Sequence, residues 1–311
     1  MASDAVSSRR TGLSLSKQVS HDSGHARIRW ERFLWLPGLL YFFLLLLPQG
    51  TFLELSLHAD TGAGQVSDTR SLANYIGILS DPFFLRSIWQ TFYLSLIATA
   101  ISLAIAVPTA YALARIGGKL ATISLSLILT TSLITVVIKL MGLSIFLSPA
   151  GLLNQMLLGT GIISQPLILI NNQIGVLIGL VQYVLPILVL LLFGVVQTIP
   201  VYLEEAAEIH GATRTSIFLS VIVPSMKPSM VSGGLIAFNM CMGAFTSAVL
   251  LGGGRVLIMP VLVQQYIIQR AEYGYGTALA ALLLLFVFAA NVSVGLWFVR
   301  MRRARPVRAG A

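Results

Sequence analysis

The chain has 311 residues, of which 56% are hydrophobic and 10% are charged, whereas an ordinary soluble domain carries about 25% charged residues. This composition excludes a soluble globular domain and predicts a membrane protein. The formal net charge of +9 does not indicate nucleic-acid binding, because the basic residues lie in tails and short loops and form no basic face interleaved with aromatic residues.

The N-terminal 26 residues are polar, and no short apolar stretch with a cleavage site precedes the first long apolar stretch. We expect a disordered cytoplasmic tail at 1–26, a membrane domain at 27–303 and a basic cytoplasmic tail at 304–311. A transmembrane helix needs about 20 mostly apolar residues. The predicted spans are 33–57, 88–113, 120–138, 174–196, 230–251 and 277–299. The sequence therefore predicts an all-α, polytopic membrane helical bundle.

The basic residues predict the orientation of this bundle. An even number of spans puts both termini on one side, and with the N-terminus inside, 15 of the 20 basic residues fall in cytoplasmic segments. The positive-inside rule then places both termini and the loop after the fourth span in the cytoplasm. The basic residues left outside or near the outer face are Arg70, Arg86, Lys139, Arg255 and Arg270.

Three polar segments are predicted on the outer side, at 58–86, 148–172 and 252–276. The first is too short to form a separate folded domain. The second contains an apolar run near 152–158 that predicts a short interfacial helix. In the third, Gly252-Gly253-Gly254 predicts a tight turn in preference to an anion-binding nest.

A polar stretch at 202–228 interrupts the apolar sequence and contains Glu204, Glu205 and Glu208. Thr198 and Pro200 predict the start of a helix of about three turns, which would place the glutamates near its positive end. Gly211 stands where a left-handed C-terminal cap is needed. A short cytoplasmic helix is therefore expected here.

A second short helix is expected directly after it. Thr213 is a candidate N-cap, and apolar residues recur at helical spacing until Pro224. Two short helices around a glycine form a compact docking element, which we assign to residues 198–228.

The spacing within this element carries a family resemblance. Glu205-Ala206-Ala207, Gly211 and Val221-Ile222-Val223-Pro224 resemble the EAA loop of binding-protein-dependent ABC transporter permeases, with the pattern EAA, x3, G, x9, I-x-L-P. Valines replace the isoleucine and leucine of that pattern. The resemblance implies that the loop sits in a groove of a partner ATPase. The ATPase-coupling residues it implies are Glu204, Glu205, Ala206, Ala207, Glu208, Gly211, Ala212 and Pro224.

The resemblance extends over about residues 70–300. The stretches 75–91, 108–115 and 243–255 are similar to the polyamine, opine and phosphonate branch of these permeases, and most of all to the first permease of spermidine and putrescine importers. It implies a type I ABC importer permease in a bacterial inner membrane, for polyamines or a related small solute. The implied partners are a second permease subunit, two ATPase subunits and an extracytoplasmic binding protein.

No catalytic, cofactor or metal site is expected in the sequence. The four histidines are scattered, Cys241 is the single cysteine, and the nearest P-loop candidate, 117–120, lacks both the first glycine and the hydroxyl residue. We therefore expect ATP hydrolysis to occur on a partner subunit.

Polar residues within the spans are costly to bury and are candidates for the translocation path. Lys139 either lines the path or extends to the outer interface. The other candidates can equally be hydrogen-bonding residues between packed helices. They are Gln182, Tyr183, Asn239, Thr246 and Asn291.

Two other functional classes would require different sequence patterns. A self-contained secondary carrier would need an ion-coupling site within the membrane and often shows an inverted repeat, and a membrane-embedded enzyme would need a His, Asp or Glu cluster at one face. Neither pattern is visible in the sequence. Because the membrane interior lacks acidic residues, recognition of a polyamine is expected to reside in a separate binding protein.

Overall fold

The computed structural model describes residues 30–62 and 64–303. The predicted tails at 1–26 and 304–311 lie outside the described residues. The first elements in chain order are α1 (Trp30–Leu55), strands β1 (His58–Gly62) and β2 (Gln65–Arg70), α2 (Ala73–Ser80) and α3 (Pro82–Ile116). The elements that follow are α4 (Gly118–Leu133), α5 (Val136–Leu147), α6 (Leu152–Gly159), α7 (Gln173–Gln197), α8 (Tyr202–Ile209), α9 (Arg214–Ile217), α10 (Val223–Met242), α11 (Phe245–Gly252), α12 (Met259–Gln264) and α13 (Tyr273–Arg303).

Six helical stretches among the described residues are long and apolar enough to cross a membrane, which confirms the predicted number and the all-α class. They are Pro37–Leu55, Pro82–Ile116, Val136–Gly159, Gln173–Gln197, Arg214–Met242 and Tyr273–Phe298. The short helix predicted near 152–158 is present as α6, and it forms the end of the third of these stretches.

Two predicted spans are wrong in their extent. The stretch 120–138 is not one helix, because the backbone turns extended at Ile134 and Thr135 between α4 and α5. Ile134 to Ile138 is a run of β-branched residues, which lowers helix propensity. The stretch 230–251 is also divided, because α10 ends at Met242 and α11 begins at Phe245.

Residues 50–303 pack around α3 and α7. One face of α3 presents small side chains, among them Ala98, Ala106 and Ala110, all fully buried. Small residues allow membrane helices to approach closely, and α7 fills the space with a row at i, i+4 spacing. That row is Val176, Leu180, Val184, Leu188, Leu192 and Val196.

Close packing also explains the glycine pair of α7. A Cβ at Gly179 would lie 2.5 Å from the Leu251 side chain, and one at Gly175 would lie 2.5 Å from the Leu169 carbonyl. Glycine at these two positions therefore lets α7 pack closely against α11 and against the segment before α7.

The segment 58–86 forms more structure than the sequence predicted. Strands β1 and β2 pair as an antiparallel hairpin, and the Asp60 carboxylate accepts hydrogen bonds from the backbone N–H groups of Gly274 and Tyr275 at 2.9 and 2.8 Å. A carboxylate at this position accepts hydrogen bonds from the free N–H groups at the start of α13, and its negative charge interacts favourably with the positive end of the helix dipole. The hairpin therefore fixes the beginning of the last span.

Candidate functional site

The connection between α7 and α8 starts differently from the prediction. The Thr198 hydroxyl donates to the Val195 carbonyl at 2.7 Å and so closes the end of α7. It is not the N-cap of α8, which begins after Val201 without a side-chain cap and has eight residues, about two turns. Pro200 explains the difference, because proline disfavours helical geometry in the residue before it and so ends α7 at this point.

The turn after α8 is a Schellman motif centred on Gly211. Gly211 has φ +81°, and its N–H donates to the Glu208 carbonyl at 2.9 Å, while the Ala212 N–H donates to the Ala207 carbonyl at 3.1 Å. These two bonds are the ones that satisfy the last carbonyls of a helix in this motif. The predicted left-handed cap is confirmed.

The helix after this turn begins as predicted but does not end as predicted. The Thr213 hydroxyl accepts from the Ser216 N–H at 3.3 Å, which confirms the N-cap. Helix α9 then continues through a π-helical turn, Phe218–Ile222, into α10. Pro224 does not terminate the helix. It lies within the continuous helical stretch Arg214–Met242, shortly after the π-helical turn.

Glu204 is turned toward its own chain and holds α8 against the end of α3. Its carboxylate accepts from the Tyr111 hydroxyl at 2.8 Å and from the Arg115 guanidinium at 2.6 Å. Arg115 also donates to the Ile199 carbonyl at 3.1 Å, which ties the α7–α8 connection to the same group.

This ion pair is shielded from water. The side chains of Arg115 and Glu204 are 20% and 13% exposed, whereas those of the pair Arg70 and Glu54 are 70% and 55% exposed. Charge-assisted hydrogen bonds strengthen where water is excluded, while exposed pairs contribute little. The contact of Glu204 is therefore a firm mechanical link between α3 and α8.

The predicted coupling residues consequently divide into two groups. Those turned inward are Glu204, Ala207 and Ala212; those exposed are Glu205, Ala206, Glu208, Gly211 and Pro224. The exposed face of α8 also carries Tyr202 and Ile209, which are 64% and 84% exposed and were not predicted. Tyr111 and Arg115 were likewise missed as partners of the loop, although their i, i+4 spacing places them on one face of α3.

The candidate path residues are only partly brought together. Lys139 and Tyr183 line the same cavity of about 100 Å³, together with Pro186. Gln182 has a buried side-chain oxygen with no hydrogen-bond partner among the described residues.

The other three path candidates lie elsewhere. The Asn239 and Asn291 amides donate to each other at 3.1 and 2.8 Å, which joins α10 to α13 as a packing contact. Thr246 is half-buried on α11.

The sequence of this chain matches one described protein family and is similar to several known permeases. Residues 73–303 match the family described as "Binding-protein-dependent transport system inner membrane component". The chain is 30% identical over 256 residues to the spermidine/putrescine transport system permease protein PotB of Haemophilus influenzae, covering 80% of this chain and 89% of the relative. PotB of Escherichia coli strain K12 is 29% identical over 243 residues, covering 78% and 88%.

A solved structure shows the same fold. The crystal structure of a bacterial alginate ABC transporter in complex with an alginate pentasaccharide-bound periplasmic protein contains a chain that aligns with a TM-score of 0.73. The alignment covers 88% of this chain and 95% of that one, at 17% sequence identity.

Proposed function

The chain belongs to the binding-protein-dependent inner-membrane components of ABC importers, and from that premise we propose that it forms the translocation path for a polyamine or a related small solute. The spermidine and putrescine named for its relatives support this substrate class. The observation that carries the proposal is the exposed, capped helix α8 between two spans, held to α3 by a shielded ion pair.

This arrangement supports a coupling mechanism. The two partner ATPase subunits close when they bind ATP, and one of them binds α8 through Glu205, Ala206 and the exposed Ile209. Ala206 keeps the contact face slim, and Glu205 pairs with a basic group of the partner. Because Glu204 links α8 to Arg115, movement of α8 is transmitted to α3, whose small-residue face packs on α7.

The complete importer in this proposal contains four further subunits. A second permease subunit completes the path across the lipid bilayer, the two ATPases drive it, and an extracytoplasmic binding protein selects the solute. No catalytic residue or cofactor is assigned to this chain.

The proposed orientation places both termini and α8 in the cytoplasm, supported by the distribution of basic residues. In a Cys241→Ser background, a cysteine introduced at the exposed Arg214 should react with an impermeant maleimide only after the membrane is permeabilised. Reaction from the outside of intact cells would contradict this orientation.

Lys139 is proposed to contribute to the path, supported by the cavity that it shares with Tyr183. Lys139→Met keeps an unbranched apolar stem and removes the charge, so we expect a several-fold fall in transport at normal membrane levels. Arg70→Met, at an exposed ion pair, serves as the control and should change little. An unchanged rate in Lys139→Met would assign Lys139 to the interface alone.

The function itself is tested by uptake of radiolabelled spermidine into cells that express the complete importer. Uptake should stop when the partner ATPase is inactivated and continue when the proton gradient is collapsed. The reverse pattern would identify a secondary carrier. ATP-dependent uptake of another solute, without uptake of spermidine, would support the function as a permease and contradict the proposed polyamine substrate.

A further inference from the structure

A polar cavity at the start of α3 is not used by the coupling mechanism. Its volume is about 390 Å³. Three parts of the chain enclose it: the first turns of α3, the residues before and at the start of α7, and the segment between α11 and α12. Its charged and polar lining residues are Arg86, Ser87, Gln90, Asn171, Asn172, Gln173 and Arg255.

Two positive charges in this cavity have no negative partner. The ion pairs among the described residues are Arg70–Glu54 and Arg115–Glu204, so neither Arg86 nor Arg255 is neutralised within the described part of the chain. No acidic residue lines the cavity. Asp81, the acidic residue nearest to Arg86 along the chain, accepts from the Phe83 N–H and caps α3.

The remaining lining residues are suited to receive an anion. Ser87 and Asn172 are committed to the scaffold, since Ser87 donates to the Phe83 carbonyl and the Asn172 side chain accepts from the Gly175 N–H at 2.9 Å. No hydrogen bond within the described residues engages the side-chain amides of Gln90 and Gln173, whose N–H groups can donate to a ligand. The two guanidinium groups are donors only, and the two amides add further N–H donors for an oxyanion. Arginine binds phosphate in a bidentate manner.

The position of the cavity along α3 indicates its depth in the membrane. Arg86 is near the start of α3, and Arg115, which holds the coupling helix, is near its end. At 1.5 Å per residue the two are about 44 Å apart along the helix, which matches the roughly 40–45 Å thickness of a bilayer with its headgroups. Trp89, 66% exposed on the next turn of α3, is typical of a side chain at the membrane interface. The cavity therefore lies at headgroup level, on the side opposite the coupling helix.

We propose that this cavity is a phosphate-binding site, in which Arg86 and Arg255 hold a phosphate group and Gln90 and Gln173 donate to its remaining oxygens. The phosphate belongs either to the headgroup of an anionic phospholipid or to a free phosphate compound. The positive charges of Arg86 and Arg255 would repel a polyamine, which is itself positively charged. The phosphate-site proposal therefore does not depend on the proposed substrate.

The test measures binding by the purified, delipidated importer with two probes. Phosphatidylglycerol is titrated against phosphatidylcholine, and inorganic phosphate is titrated against chloride at matched ionic strength. Arg86→Gln and Arg255→Gln should each raise the Kd for the bound probe about tenfold or more, since each removes charge-assisted hydrogen bonds. Arg70→Gln, an exposed arginine already paired with Glu54, is the matched control and should leave the Kd unchanged.

The pattern of results separates the two sources. Arginine-dependent binding of phosphatidylglycerol identifies a lipid headgroup, and arginine-dependent binding of inorganic phosphate without the lipid identifies a free phosphate compound. The proposal is overturned if the importer binds neither probe, or if both glutamine variants bind as tightly as the control. Should a glutamine variant fail to accumulate, Arg86→Lys and Arg255→Lys keep the charge and lose the bidentate geometry. Weaker binding by these variants supports the site, and unchanged binding contradicts it.

Discussion

Replacing Gly211 with valine is expected to reduce ATP-driven transport at least tenfold while the six spans remain inserted. Gly211 has φ +81° in the Schellman turn that ends α8. A β-branched residue resists this conformation, at a cost of about 1–2 kcal/mol for a non-glycine residue. Apart from Gly211 and its two chain neighbours, no described residue has an atom within 4 Å of a Cβ built at this position, so the effect comes from the backbone conformation and not from a collision. The altered turn misdirects α8 relative to the partner ATPase.

The matched control is Gly211→Asn, because asparagine tolerates the left-handed conformation and has a side chain of similar size to valine. Gly211→Asn should retain most transport and co-purification of the ATPase, whereas Gly211→Val should lose both. Normal co-purification and transport in the valine variant would refute the coupling role of this turn.

Arg115→Gln is expected to uncouple ATP hydrolysis from transport, with a several-fold fall in solute moved per ATP. This change leaves the Glu204 carboxylate with the Tyr111 hydroxyl but without its counter-ion in a site that is 13% exposed. Removing one partner of such a pair costs roughly 2–3 kcal/mol once the partial exposure is taken into account. The outward face of α8 is unchanged, so the ATPase should still bind, but movement of α8 would no longer be passed firmly to α3.

The measurement compares ATP hydrolysis and solute uptake in the same proteoliposomes. Arg70→Gln, at the exposed Glu54 pair, should leave the ratio unchanged because an exposed pair contributes little. Arg115→Lys, which keeps the charge and loses the fork geometry, should fall between the wild type and the glutamine variant. A wild-type ratio in Arg115→Gln would show that the link between α8 and α3 does not transmit movement.

Local signals in the sequence predicted the parts of the coupling loop that depend on neighbouring residues. Gly211 and Thr213 act through bonds to residues three to five positions away, and residue type and spacing specify such bonds. Thr198 shows the limit of this reasoning. A threonine can close one helix or open the next, and the preceding apolar run of α7 together with Pro200 decided between these roles.

Contacts between distant parts of the chain could not be predicted from residue spacing. Glu204 was grouped with the other glutamates because its partners, Tyr111 and Arg115, lie 93 and 89 residues away. Asp60 caps a helix that begins more than 200 residues later. The third span was misjudged for another reason, since hydropathy alone does not detect the extended backbone at Ile134. The family resemblance located the loop, but it did not distinguish the inward face of α8 from the outward face.

In the proposed coupling mechanism, the partner ATPase binds the exposed face of α8. The most direct test places a photo-reactive amino acid at position 209, which is 84% exposed on α8, and compares it with position 268, which is 71% exposed on the segment before α13. Irradiation of membranes that contain the assembled importer should cross-link the ATPase to position 209 and not to position 268. Cross-linking at position 268, or none at position 209 in membranes that retain ATP-driven uptake, would show that the ATPase does not bind this face of α8.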